Sequence, residues 1–175
     1  MQTTWSKPAL SAAVLAAAAL LSPMQATADG GDSIQWRTIV GILQANNVVG
    51  SGTGAVTGGG QPWTTTGGRA SVDLRTSQVN FEVRGLVFAG GNTIGTPLPI
   101  KQVKGTLVCD TNGSAGGGNS VLVDTAAVAL DGDGDAQFTG NVGALPAVCL
   151  SEPDIAFLIS IPGANRWIAN GAVMR

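Results

Sequence analysis

The stretch ASVDLRTSQVNFEVR (residues 70–84) carries the clearest pattern in the chain. Apolar and polar residues alternate on both sides of residues 76–77, and a period of two buries one face of a strand and leaves the other in water. Two such runs around a short turn indicate a β-hairpin. A two-residue turn at 76–77 predicts cross-strand pairs on the buried face, namely Leu74 with Val79 and Val72 with Phe81.

Further strands are indicated by runs of β-branched, aromatic and other apolar residues between Gly-, Pro- and Asp-rich turns. The candidates are residues 34–43, 86–88, 105–109, 120–130, 136–142, 155–161 and 166–174. Residues 155–161 (IAFLISI) are apolar throughout, so we expect this strand to be central. About eight short strands without an amphipathic helix indicate a β-sandwich or a barrel, and we expect a single all-β sandwich over residues 29–175.

Residues 44–68 are the least regular part of the chain and include GSGTGAVTGGGQPWTTTGG (residues 50–68). All 26 glycines of the protein come after residue 28. Glycine loses more conformational freedom on folding than other residues, so it weakens strand interiors and favours turns and loops. We therefore expect a long, mobile or loosely paired loop here, with room for one short strand.

Residues 1–28 indicate a secretory signal peptide. A polar start with Lys7 precedes the apolar run ALSAAVLAAAALL (residues 9–21), and residues 26–28 (ATA) offer the small residues that signal peptidase requires before Asp29. A membrane anchor is the alternative, but the apolar run is shorter than the about 20 residues that a spanning helix needs. We expect a secreted or periplasmic protein without a membrane anchor after cleavage, because no cysteine near the cut could carry a lipid.

Cys109 and Cys149 are the two cysteines of the chain. In the oxidising compartment that the signal peptide implies, two cysteines in a small domain predict a disulfide. Their spacing is not Cys-x-x-Cys, which favours a structural role over a redox role.

The charge and the absence of histidine exclude several functions. The chain holds 9 Lys and Arg against 11 Asp and Glu, a net charge of −2, and the basic residues form no run. Nucleic acid is therefore not an expected partner. Histidine is absent, which excludes Ser-His-Asp and Cys-His catalysis and His-ligated metal sites. Ser-Lys and carboxylate chemistry remain open.

The run DGDGD (residues 131–135) is the sharpest chemical pattern. Asp131, Asp133 and Asp135 alternate in a tight loop, and several carboxylate oxygens around one point suit a hard cation such as calcium. The chain departs from an EF-hand loop at Ala136, where glycine is required, and at Val142, where a bidentate glutamate is required. The alternative is a plain hairpin turn, for which Asp-Gly is a strong signal. No other cofactor is expected.

Trp63 stands in QPWTTT (residues 61–66), inside a loop with few other apolar residues. An exposed tryptophan flanked by hydroxyl groups is suited to contact a sugar or another flat ligand. The alternative is that the indole folds back and anchors the loop to the core.

These observations favour a non-catalytic binding or surface-interaction module, because Gly-rich loops hold a catalytic geometry poorly. The partner class that fits an exported protein is a polysaccharide or another envelope component. Two alternatives stay open. One is a carboxylate-based extracellular hydrolase in which the residues of the DGDGD run hold calcium, and the other is a passive structural component. Two carboxylates converging in a pocket would favour the enzyme.

Overall fold

The computed structural model describes residues 33–115, 117–151 and 154–174, so the predicted signal peptide, residues 1–28, lies outside the described residues. These residues confirm the all-β prediction. The strands are β1 (Ser33–Gly41), β2 (Val48–Val49), β3 (Val56–Gly58), β4 (Trp63–Thr64), β5 (Gly67–Asp73), β6 (Gln78–Arg84), β7 (Val87–Phe88), β8 (Gln102–Cys109), β9 (Val121–Asp124), β10 (Val128–Ala129), β11 (Ala136–Asn141), β12 (Ile155–Ile161) and β13 (Arg166–Met174). A short helix, α1 (Ala147–Ser151), interrupts the predicted loop before β12. Within the described ranges, no helix has the length and apolar character needed to cross a bilayer.

Most strands belong to one large antiparallel sheet, ordered β10-β8-β12-β13-β1-β5-β6-β11 along its main path. The expected central position of residues 155–161 is confirmed, because β12 lies between β8 and β13. Strands β10 and β11 stand at opposite ends of this order, yet only residues 130–135 separate them in the chain. The sheet must therefore curl until its two edges approach each other. This single curled sheet does not confirm the predicted two-sheet sandwich.

The hairpin of β5 and β6 forms as predicted, but its register differs by two residues. Val72 lies opposite Val79, and Ala70 lies opposite Phe81. The predicted pairing of Leu74 with Val79 is therefore wrong, as is that of Val72 with Phe81. A shift of two residues keeps every side chain on its face of the sheet, so the predicted burial pattern survives the error.

The cause of the shift is a four-residue turn, residues 74–77. The Asp73 Oδ1 accepts the backbone N–H groups of Arg75 at 3.0 Å and Thr76 at 2.8 Å. Ser77 adopts a left-handed conformation with φ of 57°, which returns the chain to β6. The hydrogen bond from the Thr76 backbone holds the pKa of the Asp73 carboxyl below its ordinary value.

The core lies on the inner face of the curled sheet. Phe157 on β12 is fully buried. Its ring centroid lies 5.5 Å from that of Trp36 on β1 and 5.7 Å from that of Phe81 on β6. Strands that are distant in the sheet order therefore meet through one aromatic cluster, which is what the curl achieves.

The Gly-rich segment is packed rather than loosely paired, contrary to expectation. It contains β2, β3 and β4 and lies against neighbouring parts of the chain. An ideal Cβ on Gly54 would stand 1.9 Å from the carbonyl oxygen of Ser120, and one on Gly58 would stand 2.2 Å from Cδ1 of Ile42. The backbone N–H of Ser51 donates to the Ser120 Oγ at 2.8 Å. Glycine thus permits a close backbone approach here, which its loop propensity does not reveal.

The predicted disulfide between Cys109 and Cys149 is confirmed. Cys109 ends β8 and Cys149 lies in α1, and both are buried. The bond therefore ties α1 to the end of β8. A structural disulfide is more typical of secreted or periplasmic proteins than of cytosolic ones.

Candidate functional site

A groove with a volume of about 460 Å³ crosses four neighbouring strands, β1, β5, β6 and β11. Its floor is a row of residues that lie opposite one another in register across these strands. The row consists of Trp36, Ala70, Phe81 and Phe138. The side chains of Trp36, Ala70 and Phe81 are buried in the core, and the ring of Phe138 stacks on Phe81 at 5.9 Å. The groove is therefore on the outer face of the sheet, with the strand backbones beneath it.

The residues next to the floor row form two walls, because successive side chains along a strand point to opposite faces. One wall consists of neutral side chains that donate and accept hydrogen bonds: Gln35, Ser71, Asn80 and Thr139. The other wall is mostly charged: Arg37, Arg69, Glu82 and Gln137. A neutral polar row and a mostly charged row thus face each other across the floor.

The dimensions of the groove follow from sheet geometry. Neighbouring strands lie about 4.8 Å apart, so four strands span about 14 Å. The two walls are two residues apart along each strand, which is about 7 Å. A groove of this shape suits an extended chain that lies across the strands.

One carboxylate organises the charged wall. Glu82 Oε2 lies 3.1 Å from Nη2 of Arg69 across the hairpin, and its Oε1 lies 3.4 Å from Nε of Arg84 on the same strand. Both arginine side chains remain largely exposed, 78% for Arg69 and 60% for Arg84. Arg37 is also exposed. Among the described residues, Arg37 lies within ion-pair distance of no carboxylate.

A second cavity, of about 470 Å³, adjoins the groove. Both are lined by Glu82 and Gln137, so they are neighbours along β6 and β11. The second cavity extends to Val128 and Ala129 of β10, where the two edges of the curled sheet approach each other. Together the two cavities form a path longer than a small molecule requires.

The DGDGD run closes one end of this path as a tight turn. The Asp131 Oδ1 accepts the backbone N–H groups of Asp133 at 3.0 Å and Asp135 at 2.8 Å. The Asp135 Oδ1 accepts the N–H of Gly85 at 2.8 Å, which ties the turn to the end of β6. Within the described residues, no group of three or more Cys, Asp or Glu side chains is placed to hold a metal ion. The turn interpretation accounts for these contacts, and calcium binding stays a prediction.

Calorimetry with chelator-treated protein tests that prediction. If the run binds calcium, titration should give a saturable heat and calcium should raise the melting temperature. Asp133→Asn should abolish both effects, because it removes a carboxylate from the centre of the run. Equal melting curves with calcium and with chelator would contradict calcium binding.

Trp63 does not lie on an exposed surface. Its side chain is 2% exposed, and its ring centroid lies 4.0 Å from that of Phe88 on the paired strand β7. Its backbone N–H donates to the carbonyl oxygen of Ile42 at 2.7 Å. The expected contact between Trp63 and a ligand is therefore not supported. The alternative, an anchor for the loop, describes its position.

Sequence reasoning missed the groove although part of its signal was visible. The alternation in residues 70–84 puts Glu82 and Arg84 on the solvent-facing side of the hairpin, where an ordinary surface charge is the simplest interpretation. Glu82 is more than an ordinary surface charge because it belongs to a wall of the groove that continues onto β1 and β11. The register of those two strands against the hairpin is not encoded in any local pattern.

The fold and site together define a curled antiparallel β-sheet protein with a polar groove on its outer face. No protein-family model, no curated protein and no solved structure matches the chain. The function is therefore inferred from the groove.

Proposed function

We propose that the protein is an exported, non-catalytic binding module and that its ligand is a polysaccharide lying along the outer groove. One observation carries this proposal: two rows of polar side chains face each other across a backbone floor. Amide and hydroxyl groups both donate and accept hydrogen bonds, as sugar hydroxyls do. The position of the second cavity next to the groove supports a polymer over a single small molecule.

The carboxylates favour binding over hydrolysis. Glycoside hydrolysis requires two carboxyl groups that flank the bond to be cut. Among its lining residues, the groove has a single carboxylate, Glu82, and this group lies between two arginines. In the adjoining cavity, Asp131 and Asp135 accept backbone N–H groups and so stabilise a turn. The remaining alternative, a passive structural component, assigns no role to the paired walls.

Export is part of the proposal. It is supported by the signal-peptide pattern of residues 1–28 and by the disulfide between Cys109 and Cys149. A secreted or periplasmic destination would place the groove where extracellular or envelope polysaccharides are found.

Affinity electrophoresis of the purified protein in gels containing single polysaccharides tests the proposal. At least one polymer should retard the protein. The double variant Gln35→Ala with Asn80→Ala should weaken that binding about tenfold or more, since each lost hydrogen bond contributes about 0.5–1.5 kcal/mol. Both positions belong to the neutral wall.

Gln44→Ala is the matched control, because Gln44 is an exposed glutamine outside the groove. It should bind as the unchanged protein does, and all variants should retain its melting temperature. The proposal is wrong if no polymer on the panel binds, or if the double variant and the control bind equally well.

A further inference from the structure

The charged wall of the groove has an excess of positive charge. Two arginines, Arg37 and Arg69, line the groove with one carboxylate, that of Glu82, and Arg84 lies beyond it in the adjoining cavity, which two aspartates also line. Glu82 contacts two of the arginines and leaves Arg37 without an ion-pair partner among the described residues. The two arginines and one carboxylate of the groove therefore carry a formal charge of about +1.

This excess is a local property. The chain as a whole carries a net charge of −2 and has a pI of about 4.8. The groove is thus electrostatically opposite to the protein that contains it, and such a surface attracts anions.

The positions of two arginines sharpen this point. Arg37 follows Trp36 and Arg69 precedes Ala70, and these two neighbours lie opposite each other on β1 and β5. The two arginines therefore stand on the same side of the floor row on adjacent strands. Like charges on neighbouring strands disfavour the fold. An anion between the two guanidinium groups would relieve this repulsion.

We propose that the groove selects acidic polysaccharides, with Arg37 and Arg69 recognising the carboxylates of uronic acid units. This inference rests on the proposed function and names the class of polymer. Guanidinium groups match carboxylates through two parallel hydrogen bonds, which a neutral sugar does not offer. The opposite, neutral wall then binds the sugar hydroxyls, so each wall recognises one side of the polymer.

The experiment compares a uronic acid polymer, a neutral polymer and a sulfated polymer by affinity electrophoresis and calorimetry. The uronic acid polymer should bind about tenfold more tightly than the neutral one. Salt should reduce this difference, because the Debye length falls from about 10 Å at 0.1 M to about 3 Å at 1 M ionic strength. Arg37→Gln should weaken binding of the uronic acid polymer about tenfold and leave binding of the neutral polymer nearly unchanged.

Arg75→Gln is the matched control. It removes the same charge from an exposed site in the hairpin turn, away from the groove. Arg37 is chosen over Arg69 because its loss does not break the ion pair with Glu82. If Arg37→Gln and Arg75→Gln weaken binding of the uronic acid polymer equally, the selectivity comes from the net charge of the protein. That result would overturn the role of Arg37.

The remaining outcomes separate this inference from the proposed function. If acidic and neutral polymers bind equally, and the neutral-wall double variant weakens both, the binding module stands and the selectivity is overturned. If the sulfated polymer binds more tightly than the uronic acid polymer, carboxylate recognition is overturned. If no polymer binds, both proposals fail.

Discussion

Replacing Cys109 and Cys149 together by alanine is expected to lower the free energy of unfolding by about 4 kcal/mol. The two residues are 40 positions apart, and closing a loop of that length removes conformational entropy from the unfolded chain in the chain-entropy model. For a domain of this size, the melting temperature should fall by roughly 8–16 °C. Denaturant unfolding of the variant and of the unchanged protein measures the difference.

Alanine is preferred to serine because both positions are buried, and serine would bury two hydroxyl groups. The unchanged protein with its disulfide reduced is the control and should lose a similar amount of stability. A double variant within about 1 kcal/mol of the unchanged protein would show that the link between β8 and α1 contributes little to the fold.

Gly54→Ala is expected to destabilise the protein by about 3 kcal/mol, the upper end of the cost of overpacking. The added Cβ would stand 1.9 Å from the backbone carbonyl oxygen of Ser120, which cannot move aside as a flexible side chain could. The Gly-rich segment would have to separate from Ser120, and the hydrogen bond from Ser51 to Ser120 would weaken. Thermal and denaturant unfolding measure the loss.

Gly60→Ala is the matched control, because an ideal Cβ on Gly60 meets no atom within 4 Å. Its stability should change by no more than about 0.5 kcal/mol, or rise slightly because alanine restricts the unfolded chain. Equal stability of the two variants would contradict the close packing of the segment. A marked loss confined to Gly54→Ala would show that glycine is required there.

The hairpin shows how far local patterns reach. Its alternation predicted which face of β5 and β6 is buried, and this held even though the register was wrong by two residues. The register depended on the contacts of Asp73 with Arg75 and Thr76, which close a longer turn than expected. The face on which a side chain lies depends on whether its position along the strand is odd or even, whereas the register depends on the conformation of the turn.

The Gly-rich segment shows where local reasoning failed, and Trp63 shows where it left two alternatives open. A high glycine content does not distinguish a free loop from a segment that must approach another backbone closely. Gly54 is of the second kind, because it lies close to the backbone of Ser120. Trp63 is surrounded by polar residues in the sequence, but its aromatic partner, Phe88, comes from another strand. In both cases the deciding contact lies far away in the chain.

The sequence by itself determined the all-β class, the central position of β12, the pairing of Cys109 with Cys149 and the solvent-facing side of the hairpin on which Glu82 lies. These depend on local periodicity, continuous apolar runs and the number of cysteines. Only the tertiary structure decided that most strands form one curled sheet, and that β1 and β11 flank the hairpin and complete the two walls of the groove. The reason is that strand neighbours are chosen by long-range pairing and core packing, which no short stretch of the chain encodes.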